Sequence, residues 1–198
     1  MSSSLRFFSV SWKELSGAIG SHHQGLYRKL LKIAEPIFEE VYEASSFRGG
    51  PDLAEGIDRW IQGEVVEEGQ TGVRVQSLGD ALGFLSLIQY FGKEVGSLEH
   101  TSSSFDQFER FLLGPATTAL RPPVPLTQLR SRPILGVESG QDALWGGLSR
   151  EELSALASPL SGDPPQPPDQ DDALWMVPLW DSLGSALDLG KDLITIYA

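Results

Sequence analysis

A chain of 198 residues, 40% of them hydrophobic, can bury roughly 70% of its unfolded surface in a core. Having no Cys excludes a disulfide framework, a Cys-based zinc site and a thiol nucleophile. The net charge of −12 is concentrated late in the chain: residues 133–198 hold 2 basic and 11 acidic groups, a distribution that repels nucleic-acid phosphates.

Leu5, Phe7, Phe8 and Val10 mark a first strand over 4–10. It is too short for the apolar core of a signal peptide, and Lys13 and Glu14 follow at once. No run approaches the ~18 apolar residues of a membrane span. A cytoplasmic protein without a membrane role is therefore expected. Ser11-Trp12-Lys13-Glu14 is a capping box that opens a short helix, limited by Gly17 and Gly20. Ser21-His22-His23-Gln24 repeats the pattern and opens the longest helix, to about Ala44. Leu26, Leu30, Ile33, Ile37 and Val41 share its apolar face, and Pro36 is expected to kink or restart it.

After a turn at Gly49–Asp52, Leu53, Ile57, Trp60 and Ile61 give another helical face, followed by a polar loop over 63–72. Ser77 caps a helix to about Phe91, with Leu78, Leu82, Leu85 and Ile88 inward. A short helix with Phe105, Phe108, Phe111 and Leu112 buried ends at Gly114-Pro115. Arg121–Pro125 is polyproline-like, and Pro133–Val137 reads as a short strand or buried loop. Leu144-Trp145-Gly146-Gly147 reads as a turn. Ser149–Glu152 is a third capping box, starting a helix through about Ala157 with Leu153 and Leu156 as core contacts. The segment 161–172 (SGDPPQPPDQDD) is expected to be an acidic, Pro-rich surface loop. Trp175, Leu179, Leu183, Ala186 and Leu187 then share a helical face over 173–190, and residues 192–197 read as a strand.

The two strong strand patterns stand at opposite ends of the chain, and a lone strand leaves its ladder groups unpaired. Pairing 5–10 with 192–197 resolves this. The expected architecture is α+β and predominantly helical: a small sheet joining the N- and C-terminal strands, packed by about six helices, within one globular domain over 1–198.

Segments 8–21 (FSVSWKELSGAIGS), 57–63 (IDRWIQG), 123–136 and 190–197 (GKDLITIY) resemble a group of small bacterial cytoplasmic proteins of unknown function. Its pattern is an N-terminal strand, a short helix ending in a Gly-Ser step, a Pro-rich segment and a C-terminal strand. Residues 64–76 and 161–172 depart from it. The resemblance implies a compact α+β bacterial domain and carries over no site residue.

No catalytic residue, metal set or cofactor site is expected. Walker A and G-x-S-x-G spacings are absent, and the acidic pairs are adjacent rather than convergent. Two places attract a binding role. Ser21, His22, His23 and Arg28 surround a helix N-terminus and form a weak candidate for an anion. Trp145, Trp175 and Trp180, with Asp169, Asp171 and Asp172, would anchor a partner if the indoles are exposed, and are core if buried. The expected function is a non-catalytic protein-binding or regulatory domain, of the immunity or antitoxin kind, acting on a basic protein. The alternatives are an enzyme with an unrecognised site near His22 and His23, and a structural or oligomeric component.

Overall fold

The computed structural model describes residues 3–44, 52–65, 73–75, 77–100, 110–114, 117, 126–138, 144–162 and 170–197. In chain order the elements are β1 (Ser3–Val10), α1 (Trp12–Ala18), α2 (Gln24–Ala44), α3 (Leu53–Gln62), β2 (Val73–Arg74), α4 (Leu78–Phe91) and β3 (Lys93–His100). A 3-10 turn (Leu126–Leu129) leads to β4 (Val137–Glu138), β5 (Leu144–Leu148), α5 (Arg150–Ala155), α6 (Ala157–Leu160), α7 (Gln170–Leu189) and β6 (Asp192–Tyr197). The fold is α+β and mainly helical. It divides into two compact units, one formed by Met1–Val10, Lys93–Arg132 and Trp145–Ala198, the other by Ser11–Gly92 and Pro133–Leu144.

The first unit is built on a four-stranded sheet in the order β3-β1-β6-β5. The terminal strands pair antiparallel as expected, from Leu5 opposite Tyr197 to Val10 opposite Asp192. β1 also pairs antiparallel with β3, which the sequence reading missed. Alternation there is weak: Lys93-Glu94-Val95-Gly96-Ser97-Leu98 offers only two large apolar residues. β5 was expected as a turn because of Gly146-Gly147. An added Cβ at Gly146 would lie 2.3 Å from the Gln128 carbonyl oxygen and 2.4 Å from the Leu129 carbonyl carbon. Glycine therefore serves a close backbone approach inside a strand. Beside it, the Thr195 hydroxyl donates to the Leu129 carbonyl.

Helix α7 lies on this sheet. Trp175, Met176, Leu179, Leu183 and Ala186 pack with Leu5, Phe7 and Leu193, and with Leu153 and Leu156 near α5. Gly96 lets the helix sit close to β3, since a Cβ there would lie 2.2 Å from the Ser182 hydroxyl oxygen. The helix begins at Gln170 rather than 173, so Asp171 and Asp172 belong to its first turn and not to the loop. Carboxylates are favoured at that helix end. Residues 163–169 of the expected loop lie outside the described residues, and Ser161 and Gly162 are an exposed turn.

Helix α5 carries the full capping box. The Ser149 hydroxyl accepts from the Glu152 N–H, and the Glu152 carboxylate accepts from the Ser149 N–H. Arg132 also donates to that carboxylate. Burial pushes the Glu152 carboxyl up, but the Ser149 N–H, the Arg132 guanidinium and the Ser149 hydroxyl outweigh it and hold the group below its ordinary 4.5. A lowered folded-state value adds stability that is present above 4.5 and is lost as pH falls through the folded value. Glu152→Gln should therefore cost about 1 kcal/mol at neutral pH. Its stability should also fall less steeply than the parent's below about pH 4.5, as read from urea midpoints at a series of pH values.

In the second unit, Ser11, Asp52 and Ser77 cap α1, α3 and α4, each accepting from the N–H three residues on. Helix α2 runs on past Pro36, so the helix does not restart there. Helices α3 and α4 cross with their backbones close together. An added Cβ at Gly56 would stand 2.1 Å from the Gly79 carbonyl oxygen, and one at Gly83 would stand 2.8 Å from the Gly56 carbonyl carbon. The crossing is tied by Arg59, which donates to both oxygens of Asp80 at 3.0 and 2.8 Å. The Trp60 indole donates to the Asp80 carbonyl at 2.7 Å and packs on Phe84 with ring centroids 5.0 Å apart. β2 and β4 form a short parallel pair.

Candidate functional site

The loop that joins α1 to α2 was expected to carry a Ser21 cap and an anion. The structure places its residues otherwise. Helix α2 starts at Gln24, so His23 takes the capping position, and its Nδ1 accepts from the Leu26 N–H at 3.0 Å. Ser21 lies two residues earlier and its N–H donates to the Ala18 carbonyl at 3.2 Å. The Gly20 and His22 N–H groups donate to the Trp60 and Ile61 carbonyls at 3.0 and 2.9 Å. Two loop N–H groups are thus engaged by the last turn of α3, whose carbonyls lack helical partners, and His23 takes the Leu26 N–H of the first turn of α2. Gly20 and Gly63, both at positive φ, allow this close approach: a Cβ on Gly63 would lie 3.1 Å from the Gly20 Cα.

His22 sits at φ 54°, a left-handed conformation uncommon outside glycine. Its Nδ1 is 2.6 Å from the Gln62 Oε1, while the Gln62 Nε2 donates to Asp58 at 3.3 Å. Asp58 orients the amide, so His22 must donate from Nδ1, whereas His23 must accept at Nδ1. The two adjacent rings therefore do opposite structural jobs. Both are exposed, as is Arg28 one turn along α2. Both Nδ1 atoms thus help to hold the local fold.

Trp145, Trp175 and Trp180 are buried, at 1%, 5% and 7% exposure, and are not exposed anchors. Trp175 stacks on Phe111, and Trp180 joins the core formed by α7. A hot-spot indole must be reachable by a partner, and these three are buried, Trp175 and Trp180 within one apolar cluster. Asp169 lies outside the described residues. Asp171 and Asp172 stand at the start of α7.

A different set of residues reaches the surface of α7. Val177, Asp181, Asp188 and Leu189 are exposed, with Ser185 half-buried between them. Spacings of four and seven residues keep Val177, Asp181 and Asp188 to one side of the helix, with Leu189 at its margin. No Lys or Arg occurs between Arg150 and Lys191. Asp188 and Leu189 also line an open depression of about 360 Å³, together with Lys93, Glu94 and Val95 of β3 and Ser185. The sequence signal for this face was the pair of carboxylates at 181 and 188, set against the core positions 175, 179, 183 and 186; the apolar Val177 gave none. Two exposed apolar side chains among carboxylates can bury apolar area against a partner and attract cations to its rim.

Among the described residues, no group of three or more His, Asp or Glu is placed to hold a metal, and no helix is long and apolar enough to cross a membrane. No family model, curated protein or solved structure matches this chain.

Proposed function

We propose that this chain is a non-catalytic binding module that holds a basic protein, in the manner of an immunity or antitoxin protein. The observation that supports this is the exposed side of α7, with Val177, Asp181, Asp188 and Leu189 and no cation over residues 151–190. A net charge of −9 over residues 133–198 would speed encounter with a basic surface, since such fields steer association. The two apolar side chains supply what charge alone does not: area that excludes water at the centre of a contact. The bacterial cytoplasm, which the resemblance implies, belongs to the same proposal.

The test immobilises the full chain, retains proteins from lysate of its host at low salt, and measures the tightest basic one against salt. The double variant Asp181→Lys/Asp188→Lys should slow association about tenfold and flatten the salt dependence, because rim charges act mainly on the on-rate. Retention indifferent to both salt and the double reversal would overturn the proposal.

A further inference from the structure

β3 is the outer strand of its sheet: among the described residues, β1 is the one strand paired with it. Half of an edge strand's N–H and C=O groups face outward, ready to pair with another chain. The register with β1 is regular from His100 to Gly96 and slips only at the bulge between Phe7 and Phe8. Bulges and charges are the usual devices against indiscriminate edge pairing. Here the bulge and the adjacent Lys93 and Glu94 sit at the start of the strand, where the depression against α7 opens. Gly96, Ser97 and Leu98 beyond them are uncharged and in register.

Resting on the binding reading above, we propose that this edge seats the partner: an extended basic segment adds to β3 as a further strand. One of its apolar side chains enters the depression against Val95 and Leu189, and a Lys or Arg faces Asp188. Backbone pairing supplies affinity in such complexes, and alternate side chains supply selectivity. The basic character follows from charge. Glu94 is already held by Arg6 at 2.5 Å, and Lys93 repels a cation on the strand side, so Asp188 on α7 is the carboxylate that an incoming cation meets. A second copy of this chain is a poor occupant, because each copy carries a net charge of −12.

The probe is the capped hexapeptide Lys-Thr-Val-Thr-Lys-Thr, whose Lys and Val side chains share one face of a strand, compared with the same peptide N-methylated at alternate residues. N-methylation keeps the charge but removes the N–H groups of one edge. With the full chain, the unmodified peptide should slow amide exchange at least tenfold at saturation at the outward-facing amides among Gly96, Ser97 and Leu98, which alternate with those bonded to β1. The methylated peptide should bind at least tenfold more weakly. Equal binding of both without protection at β3 would reduce the attraction to charge and overturn strand addition. The basic-partner reading would survive that result, since it stands or falls on the salt series. Binding of neither peptide would also overturn strand addition, as would protection of β3 that rises with protein concentration when no peptide is present.

Discussion

Gly56→Ala should destabilise the protein by about 3 kcal/mol, although the same change in an open helix stabilises by up to about 1 kcal/mol. The sign is decided by what the new methyl meets. At Gly56 it would stand 2.1 Å from the Gly79 carbonyl oxygen and 2.4 Å from its carbon, both backbone atoms of α4. Backbone cannot turn aside as a flexible side chain can, so α3 and α4 must move apart. That separation stretches the Arg59–Asp80 pair at 2.8 Å and the Trp60–Asp80 hydrogen bond at 2.7 Å. It also opens the Trp60–Phe84 contact. Gly17→Ala in α1 is the control, because nothing lies within 4 Å of a Cβ there. It should stabilise by about 0.5–1 kcal/mol. Urea midpoints of the two variants should move in opposite directions. If Gly56→Ala melted with the parent, the close crossing of α3 and α4 would be wrong.

Removal of residues 190–198 should abolish the cooperative unfolding of the sheet unit. β6 is an inner strand, bonded to β1 on one side and β5 on the other. Leu193, Ile194, Thr195 and Ile196 are each no more than 3% exposed. Burying a Leu or Ile contributes about 1.5–3 kcal/mol, and three of them are lost together with two ladders. That is of the order of a whole domain's stability, about 5–15 kcal/mol. Ile194→Ala is the milder form and should cost about 2–5 kcal/mol. Near-ultraviolet circular dichroism and calorimetry read the outcome. A truncated chain that melts like the parent would refute the sheet. One domain over 1–198 requires a single transition, lost as a whole; a residual transition from Ser11–Gly92 would instead mark an independent second unit.

Much of the local structure was legible because its causes are local. Ser11, Ser77 and Ser149 cap helices through a bond to a residue three positions away, so the pattern lies within four letters. The apolar spacing of α3 and α7 shows which side each buries, and the alternation at both termini marks β1 and β6; α4, expected to turn only Leu78, Leu82, Leu85 and Ile88 inward, is buried all round from Leu78 to Ile88. Their pairing could be inferred because an unpaired strand is costly. At Ser21 the same cap rule misled: His23 is also able to accept, and docking against α3 selected it.

What the sequence by itself determined is the α+β, mainly helical character, the caps at Ser11, Ser77 and Ser149 and the union of the two terminal strands. Only the tertiary structure decided the rest. It recruited β3 and β5, whose letters look like loop, because glycine at 96 and 146 is dictated by neighbours distant in the chain. It buried the three Trp first considered as anchors and turned two adjacent His to opposite structural uses. It also exposed a further acidic surface at Asp181 and Asp188 of α7. Exposure is a property of what packs against a side chain, and a partner in space leaves no period in the sequence.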